Sequence, residues 1–279
     1  MILVTGATGN AGGALVRALS EAGRPVRALV RSPGSIDLLG QDAEEVVGDL
    51  TEPETFADAL PGVEGLFLLS GYAGTDRLLA AARDAGVGHV VLLSSSALDG
   101  TDAGNAIASY HGATEDLVRR SGLGWSFLRP TSFMSNTFRW NDQLSAGNVI
   151  RAQFPGVPIA TIDPRDIADV AIAGFDSGAR ANEIYRITGP VALTAPERVE
   201  ILGKALGRPL ECYEMTLDET RAELAATMPA PYAEAIESFF ARGTTDETTV
   251  YPTVENVTGH PARTFEQWCA DNADLFPAP

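Results

Sequence analysis

The chain has 279 residues, enough for one large domain or a large domain with a small companion. Its 20 Lys+Arg against 37 Asp+Glu leave a formal charge of −17, which argues against nucleic acid and membranes as partners, because both select basic surfaces. Hydrophobic content of 45% with 28 Gly and 17 Pro is ordinary globular usage, and two cysteines, Cys212 and Cys269, are too few for a disulfide scaffold and suit a reducing compartment. No apolar run reaches the roughly 18 residues that a bilayer span needs. Met1 leads straight into Ile2-Leu3-Val4 and a glycine turn, which is not the pattern of a signal peptide. These features predict a soluble cytoplasmic protein whose partner is a small-molecule substrate; they carry no signal of oligomeric state.

The first predicted strand, Ile2–Val4, runs into Thr5-Gly6-Ala7-Thr8-Gly9-Asn10-Ala11-Gly12-Gly13, and a helix is predicted over Ala11–Ala22. The Gly6-x-x-Gly9-x-x-Gly12 spacing lies between strand and helix, where glycines serve a tight turn, close backbone approach to a pyrophosphate and close helix–strand packing. A helix N-terminus there offers free N–H groups and partial positive charge to phosphates. Gly6, Thr8, Gly9, Asn10, Ala11 and Gly12 are therefore predicted to cradle a dinucleotide; a mere tight connection is the alternative. No Gly-Lys-Ser/Thr follows, so a Walker phosphate loop is excluded.

The second predicted strand is Val26–Val30. Chains that bind NAD place an acid about 20 residues past the last glycine to hold the ribose 2′-hydroxyl. Here that strand end carries Arg31, whose guanidinium suits a 2′-phosphate and predicts NADP(H), unless it is only a solvated surface group. Residues 1–35 hold Arg17, Arg24, Arg27 and Arg31 against Glu21, a local excess that would draw an anionic cofactor.

Further strands are expected at Glu45–Val47, Leu66–Leu69, His89–Leu93, Trp125–Leu128 and Ile184–Ile187, with a helical pattern over Asp76–Ala85. Nearly unbroken apolar runs alternating with amphipathic helices imply βαβ units and a doubly wound parallel sheet. Ligands of such sheets bind beyond the carboxyl ends of the strands. Asp49 and Leu50 are thus expected near an adenine, Ser70 and Gly71 near a ribose, and Ser94 beside the nicotinamide ribose. Asp49 reads equally well as a cap for the segment after it.

After Pro190 the pattern changes to helices over Ala195–Leu206, Asp218–Ala226 and Tyr232–Ala241, one strand near Glu211–Met215, and a last helix over Thr264–Asn272. The expected division is an NADP-binding α/β domain over 1–189 and a smaller, mainly helical, substrate-pocket domain over 190–279, with 146–162 packing against the second.

Thr5-Gly6-Ala7-Thr8-Gly9, Arg31, Gly48-Asp49, His111 to Glu115, and Leu128-Arg129-Pro130 through Asn136 together resemble the NmrA-like family of atypical short-chain dehydrogenase/reductases, over roughly residues 1–210. The resemblance implies a Rossmann domain with NADP in its cleft and a substrate pocket facing the C-terminal domain. Members of that family include type 2 NADPH:quinone oxidoreductases, ergot-alkaloid reductases such as agroclavine dehydrogenase, and NADP-binding sensors without turnover. Many carry a lysine directly after the glutamate that matches Glu115; this chain has Asp116.

Ordinary short-chain dehydrogenases use Tyr-x-x-x-Lys, but Tyr110 is followed four residues on by Thr114, and Lys204 is the only lysine in the chain. Without that help Tyr110 is a poor base near neutrality, though it can still donate a proton. His111 is expected to titrate near neutrality and to serve as an acid, or else to anchor its helix to the sheet. Ser95 would polarise a substrate oxygen or bond neighbouring backbone; Ser94 also lies near. His89 stands at the wrong end of its strand and His260 in the C-terminal region. Phe133, Met134, Phe138 and Trp140 are expected to form a pocket wall for a flat substrate, or to dock the C-terminal domain. No metal is implied. Because the cofactor carries the reactive hydrogen, positioning can suffice for strong acceptors. The reading is an NADPH-dependent reductase of a small apolar, electron-poor substrate (quinone, imine or iminium, enone or ketone), with an NADP(H)-sensing regulatory protein as the alternative.

Overall fold

The computed structural model describes residues 1–35, 43–52, 55, 58–102, 104–176 and 182–278. The apolar runs become β1 (Ile2–Val4), β2 (Val26–Val30), β3 (Glu44–Val47), β4 (Gly65–Leu69), β5 (His89–Leu93), β6 (Gly124–Pro130) and β8 (Glu183–Ile187). They form one parallel sheet in the order β3-β2-β1-β4-β5-β6-β8, with Val4 beside Ala28 on one side and Phe67 on the other. The chain leaves β1 toward one edge and returns on its other flank, so the order reverses between β1 and β4, where open α/β sheets bind ligands.

Helices cover both faces because each carries an apolar stripe at helical spacing. On one face, α1 (Asn10–Glu21) packs Leu15, Val16 and Leu19 with Ile167 and Val170 of α5 (Pro164–Asp176). On the other, α2 (Thr75–Asp84) contributes Leu78, Leu79 and Ala82, and α3 (Ala106–Arg120) contributes Val118. β6 runs two residues beyond its expected end, because Arg129 and Pro130 pair with Arg186 and Ile187 of the edge strand β8. Pro130 is tolerated at that terminus, where the lost N–H donor matters least.

The remaining elements are α4 (Asn141–Ala146), β7 (Val149–Ala152), α6 (Ala195–Leu206), β9 (Glu211–Glu214), α7 (Leu217–Thr227), α8 (Ala230–Ala241), α9 (Thr253–Thr258) and α10 (Phe265–Asp271). β7 pairs in parallel with β9, Ile150 beside Cys212. It is four residues long and pairs only with a strand about 60 residues on, so its own pattern carried little strand signal. A separate core joins Leu144, Ile150, Val199, Leu202, Phe265 and Trp268. Arg208 holds that region together: its Nη2 donates to the carbonyls of Leu144 (3.0 Å) and Gly147 (2.9 Å).

At the carboxyl edge of the main sheet lies Glu115, 1% exposed. Its carboxylate accepts from Ser94 Oγ (2.7 Å), Arg119 Nη2 (2.8 Å) and Arg129 Nε and Nη2 (2.9 and 2.7 Å). Arg129 also reaches Asp99, which Arg186 of β8 grips too. One buried carboxylate thus ties α3 to the ends of β5 and β6. Glu115→Ala leaves Arg129 with half its partners, and breaking a buried pair costs about 3–5 kcal/mol. The variant is expected to lose that much in urea unfolding; a loss under about 1 kcal/mol would show that Asp99 alone suffices.

Candidate nucleotide and substrate site

The turn after β1 is built from positions that exclude side chains. Gly6 has φ +62°, and a Cβ there would lie 2.4 Å from Leu69 Cδ1. Gly9 N–H donates to Gly6 O (2.9 Å). A Cβ on Gly12 would lie 2.2 Å from the same oxygen, so α1 can start this close only with glycine. Gly9 caps α1 with no side chain and its first turn holds no acid, while Thr8, Gly9 and Asn10 are exposed and Ala11 and Gly12 buried. The first N–H groups of α1 are left for an anion.

Arg31 is exposed at the end of β2. Asp49, after β3, accepts from Thr51 N–H and Thr51 Oγ1 (both 2.8 Å). Those bonds hold its carboxyl below the usual range, with a smaller contribution from the Arg31 charge. Asp49 therefore shapes its own turn while standing close to Arg31. Leu50 is buried in the same core cluster as Leu29, which leaves mainly its backbone to face a ligand. The local cationic excess also shrinks. Arg24 pairs with Asp176 (2.9 Å), and Arg27 is spent on Glu44 and the carbonyls of Ala59 and Pro61. Arg17 and Arg31 are the two that make no ion pair among the described residues.

Beyond the ends of β4, β5 and β6 opens a cavity of about 880 Å³, running from Ser70, Ser94 and Pro130 to Arg151, Arg198 and Phe239. Ser70 Oγ donates to Leu93 O (2.8 Å), and Gly71 N–H donates to Thr114 Oγ1 (3.1 Å). Gly71, at φ +88°, leaves room for the Tyr110 ring, which a Cβ would meet at 2.8 Å. Tyr110 and His111 both line the cavity, their ring centroids 4.2 Å apart. Burial pushes the Tyr110 hydroxyl above its ordinary range, so it stays protonated.

His111 does not titrate near neutrality as expected. Burial pulls it down to about 4 against a smaller opposing pull from Glu115, and its Nδ1 is enclosed without a hydrogen-bond partner. At neutral pH it is an uncharged imidazole. Ser95, also on the wall, accepts from Ala97 N–H (3.2 Å) as the cap of a 3-10 turn, and its own hydroxyl proton remains available. Ser94 donates to Glu115 and has no such proton to spare. Lys204 pairs with Glu200 on the surface of α6. His89, at the start of β5, bonds Ser126 Oγ at the opposite end of the sheet.

Of the expected aromatic wall, Phe133 and Trp140 line the cavity, but Met134 and Phe138 do not. Both join the C-terminal core, Phe138 lying 5.2 Å from the Trp268 ring and 5.0 Å from Phe276. The reason lies in the C-terminal core: along the 3-10 turn Met134–Trp140, Phe133, Asn136, Thr137 and Trp140 line the cavity, while Met134 and Phe138 are taken up by packing with Trp268 and Phe276.

Two groups on this wall escaped sequence reasoning. Glu247 is buried, accepts from Ser96 Oγ (2.6 Å) and Ser132 N–H (2.8 Å), and is pushed above the usual carboxylate range by burial. Nothing in its polar Thr-Thr-Asp-Glu-Thr setting distinguishes it from a surface loop. Arg198 faces the cavity from α6, and Arg139 and Arg151 lie on the same wall, so the lining is less apolar than expected. Elsewhere, ligand atoms of Asp166, Asp169 and His260 lie within 4.8 Å of one another. Arg263 Nη1 bonds both aspartates and already supplies a counter-charge. Among the described residues, no helix is long and apolar enough to cross a membrane.

The NmrA-like family model matches residues 1–272. The chain is 40% identical over 280 residues, 99% of each chain, to (4-alkanoyl-5-oxo-2,5-dihydrofuran-3-yl)methyl phosphate reductase of Streptomyces griseus. It is 33% identical over the whole of both chains to the NAD(P)H azoreductase of Xenophilus azovorans. The crystal structure of an NADPH-dependent quinone oxidoreductase from Escherichia coli, complexed with NADPH, shares the fold at TM-score 0.79 and 22% identity, covering 97% of this chain and 99% of the other.

The depressed His111 pKa has a thermodynamic consequence. Between pH 6.5 and about 4 the unfolded chain takes up a proton at this position and the native state does not. Stability present above pH 6.5 is therefore lost as pH falls through that window, by about 3 kcal/mol in all. His111→Gln is expected to flatten that part of the acid limb in urea midpoints measured from pH 7 to 4. An unchanged limb would mean His111 is protonated in the native state.

Proposed function

The chain belongs to the NmrA-like family, and we propose that it is an NADPH-dependent reductase of conjugated, electron-poor acceptors such as quinones, imines and enones. It is an NAD(P)H-dependent oxidoreductase of the atypical short-chain type, lacking the Tyr-x-x-x-Lys pair. One observation carries the reading: the cavity begins at the ends of β4 and β5 with Leu69, the residue that abuts Gly6 in the turn leading to the uncapped start of α1. The Gly6–Gly12 turn fits a dinucleotide, since Thr8, Gly9 and Asn10 lie exposed at the helix start and the adjoining N–H groups have no side-chain partner. In this reading Gly6, Thr8, Gly9, Asn10, Ala11 and Gly12 hold the pyrophosphate and Arg31 the 2′-phosphate. Asp49, Ser70, Gly71 and Ser94 border the rest, Leu50 through its backbone only. When bound, the cofactor supplies a hydride.

The chain's own groups then hold and polarise the acceptor. Phe133 and Trp140 give a flat substrate an aromatic wall, and Tyr110 Oη and Ser95 Oγ are neutral donors for an oxygen or nitrogen that gains negative charge. A neutral His111 adds polarity without a titrating proton. Such donors serve acceptors that are already activated, in keeping with the two relatives: one is named for azo reduction, the other for an oxo-dihydrofuranylmethyl phosphate. Residues 1–189 are proposed as the cofactor half and 190–279 as the pocket half, 146–162 serving the latter through the pairing of β7 with β9.

Steady-state NADPH oxidation with a panel of quinones, imines and enones tests the reading. Turnover with at least one class is expected; tight binding of both redox forms without turnover would instead mark a nucleotide sensor. Arg31→Ala is expected to raise the KM for NADPH by about 10- to 100-fold and to leave that for NADH unchanged. An equal loss for both would remove Arg31 from the 2′-phosphate.

A further inference from the structure

In a chain of net charge −17, the cavity wall contributed by α6 and by the segment after β6 is cationic. Arg198 lays its guanidinium over the Trp140 ring, 5.7 Å from the centroid. Its Nε is buried with no hydrogen-bond partner, and the side chain has no carboxylate or carbonyl partner among the described residues. Burial pulls its pKa down to about 10, which leaves it charged at neutral pH. Other enclosed arginines of this protein end differently: Arg129 lies on Glu115 and Asp99, and Arg208 on main-chain carbonyls. A half-buried cation whose Nε is enclosed without an acceptor loses solvation that a ligand can restore.

Arg139, exposed on the same wall, likewise has no ion pair among the described residues. Arg151 is shared between the Tyr213 ring and Glu219 (3.6 Å), so it is largely committed. The carboxylates on the lining are also engaged elsewhere: Glu223 accepts from Gln153 Nε2 (2.8 Å), and Glu247 is held at the sheet end by Ser96 and Ser132.

We propose that Arg198, assisted by Arg139, binds a phosphomonoester group on the substrate while the reducible part lies at the sheet end of the cavity. The proposal rests on the reductase reading and specifies its substrate class. Arg198 and the exposed Arg139, both on the lining and without an ion pair among the described residues, supply two positive charges for a phosphate ester, close to −2 at pH 7, and the planar fork of Arg198 suits its oxygens. A carboxylate would need only one of them. Trp140 fixes the plane of Arg198 and so orients the fork before the ligand arrives.

Calorimetry on the NADP⁺-saturated protein tests this, because the phosphate sites of the cofactor are then filled. The probes are phenyl phosphate, benzoate and benzyl alcohol. Phenyl phosphate is expected to bind at least ten-fold more tightly than either other probe. Arg198→Gln should weaken it at least ten-fold while leaving benzyl alcohol and NADP⁺ unchanged. Arg198→Lys, which keeps the charge and loses the fork, should weaken it several-fold and covers the case in which the glutamine variant fails to fold. Equal binding of charged and neutral probes, benzoate binding as tightly as phenyl phosphate, or phosphate affinity indifferent to both substitutions would overturn the proposal. None of these readouts needs turnover, so a protein that binds phenyl phosphate through Arg198 yet oxidises no NADPH would sink the reductase reading alone.

Discussion

The approach of α1 to the turn after β1 sets the geometry of everything around it. Gly12 sits so near the Gly6 carbonyl that a single methyl group would lie 2.2 Å from that oxygen, and relieving such an overlap means moving the helix. Gly6 in turn abuts Leu69, the last residue of β4, so the turn is wedged between its own helix and the neighbouring strand. This wedge places an uncapped helix start at the point where strand order reverses. The anion site proposed at that helix start is thus a by-product of backbone crowding. Side chains around it modulate what is bound, but they do not create it.

A second constraint shapes the cavity. At the carboxyl ends of β5 and β6 two buried carboxylates tie neighbouring elements together. Glu115 gathers α3, β5 and β6 from one side; Glu247, from the C-terminal part of the chain, reaches back to Ser96 and Ser132 from the other. Each accepts two or more hydrogen bonds, which is what makes their burial tolerable. Between these two anchors lie Ser95, Tyr110 and His111. Their enclosure raises the tyrosine and lowers the histidine, so the same packing that fixes the wall also fixes its protonation at neutral pH as uncharged.

Much of the sheet was legible in the chain because a strand buried on both faces must be apolar nearly throughout, as Ile2–Val4 and Val90–Leu93 are. The glycine turn was legible because its constraint is local. What failed was information carried by distant partners. Met134 and Phe138 belong to the C-terminal core because a 3-10 turn and Trp268, more than 100 residues away, decide which way they face. β7 exists because β9 pairs with it. The His111 shift needs burial, which a residue's identity does not disclose. Arg24, Arg27 and Arg31 look alike in sequence, yet the first two are bound to Asp176 and Glu44, which only the fold brings to them.

Arg198 illustrates the same point in the opposite direction. On α6 it reads as one more polar residue of an amphipathic helix, and a structural arginine in that position would have found an acid in a chain so rich in them. The lining does hold acids, but Glu223 and Glu247 accept from other donors and neither bonds Arg198. A cation left unpaired in a chain with a surplus of negative charge has no evident return in stability. The sheet end of the cavity has the contrary character, with neutral hydroxyls and an uncharged imidazole. A substrate spanning the two would be positioned by charge at one end and reduced at the other. Orientation would then come from binding energy remote from the reacting atoms, which is how a site without a strong acid can still favour one acceptor over another.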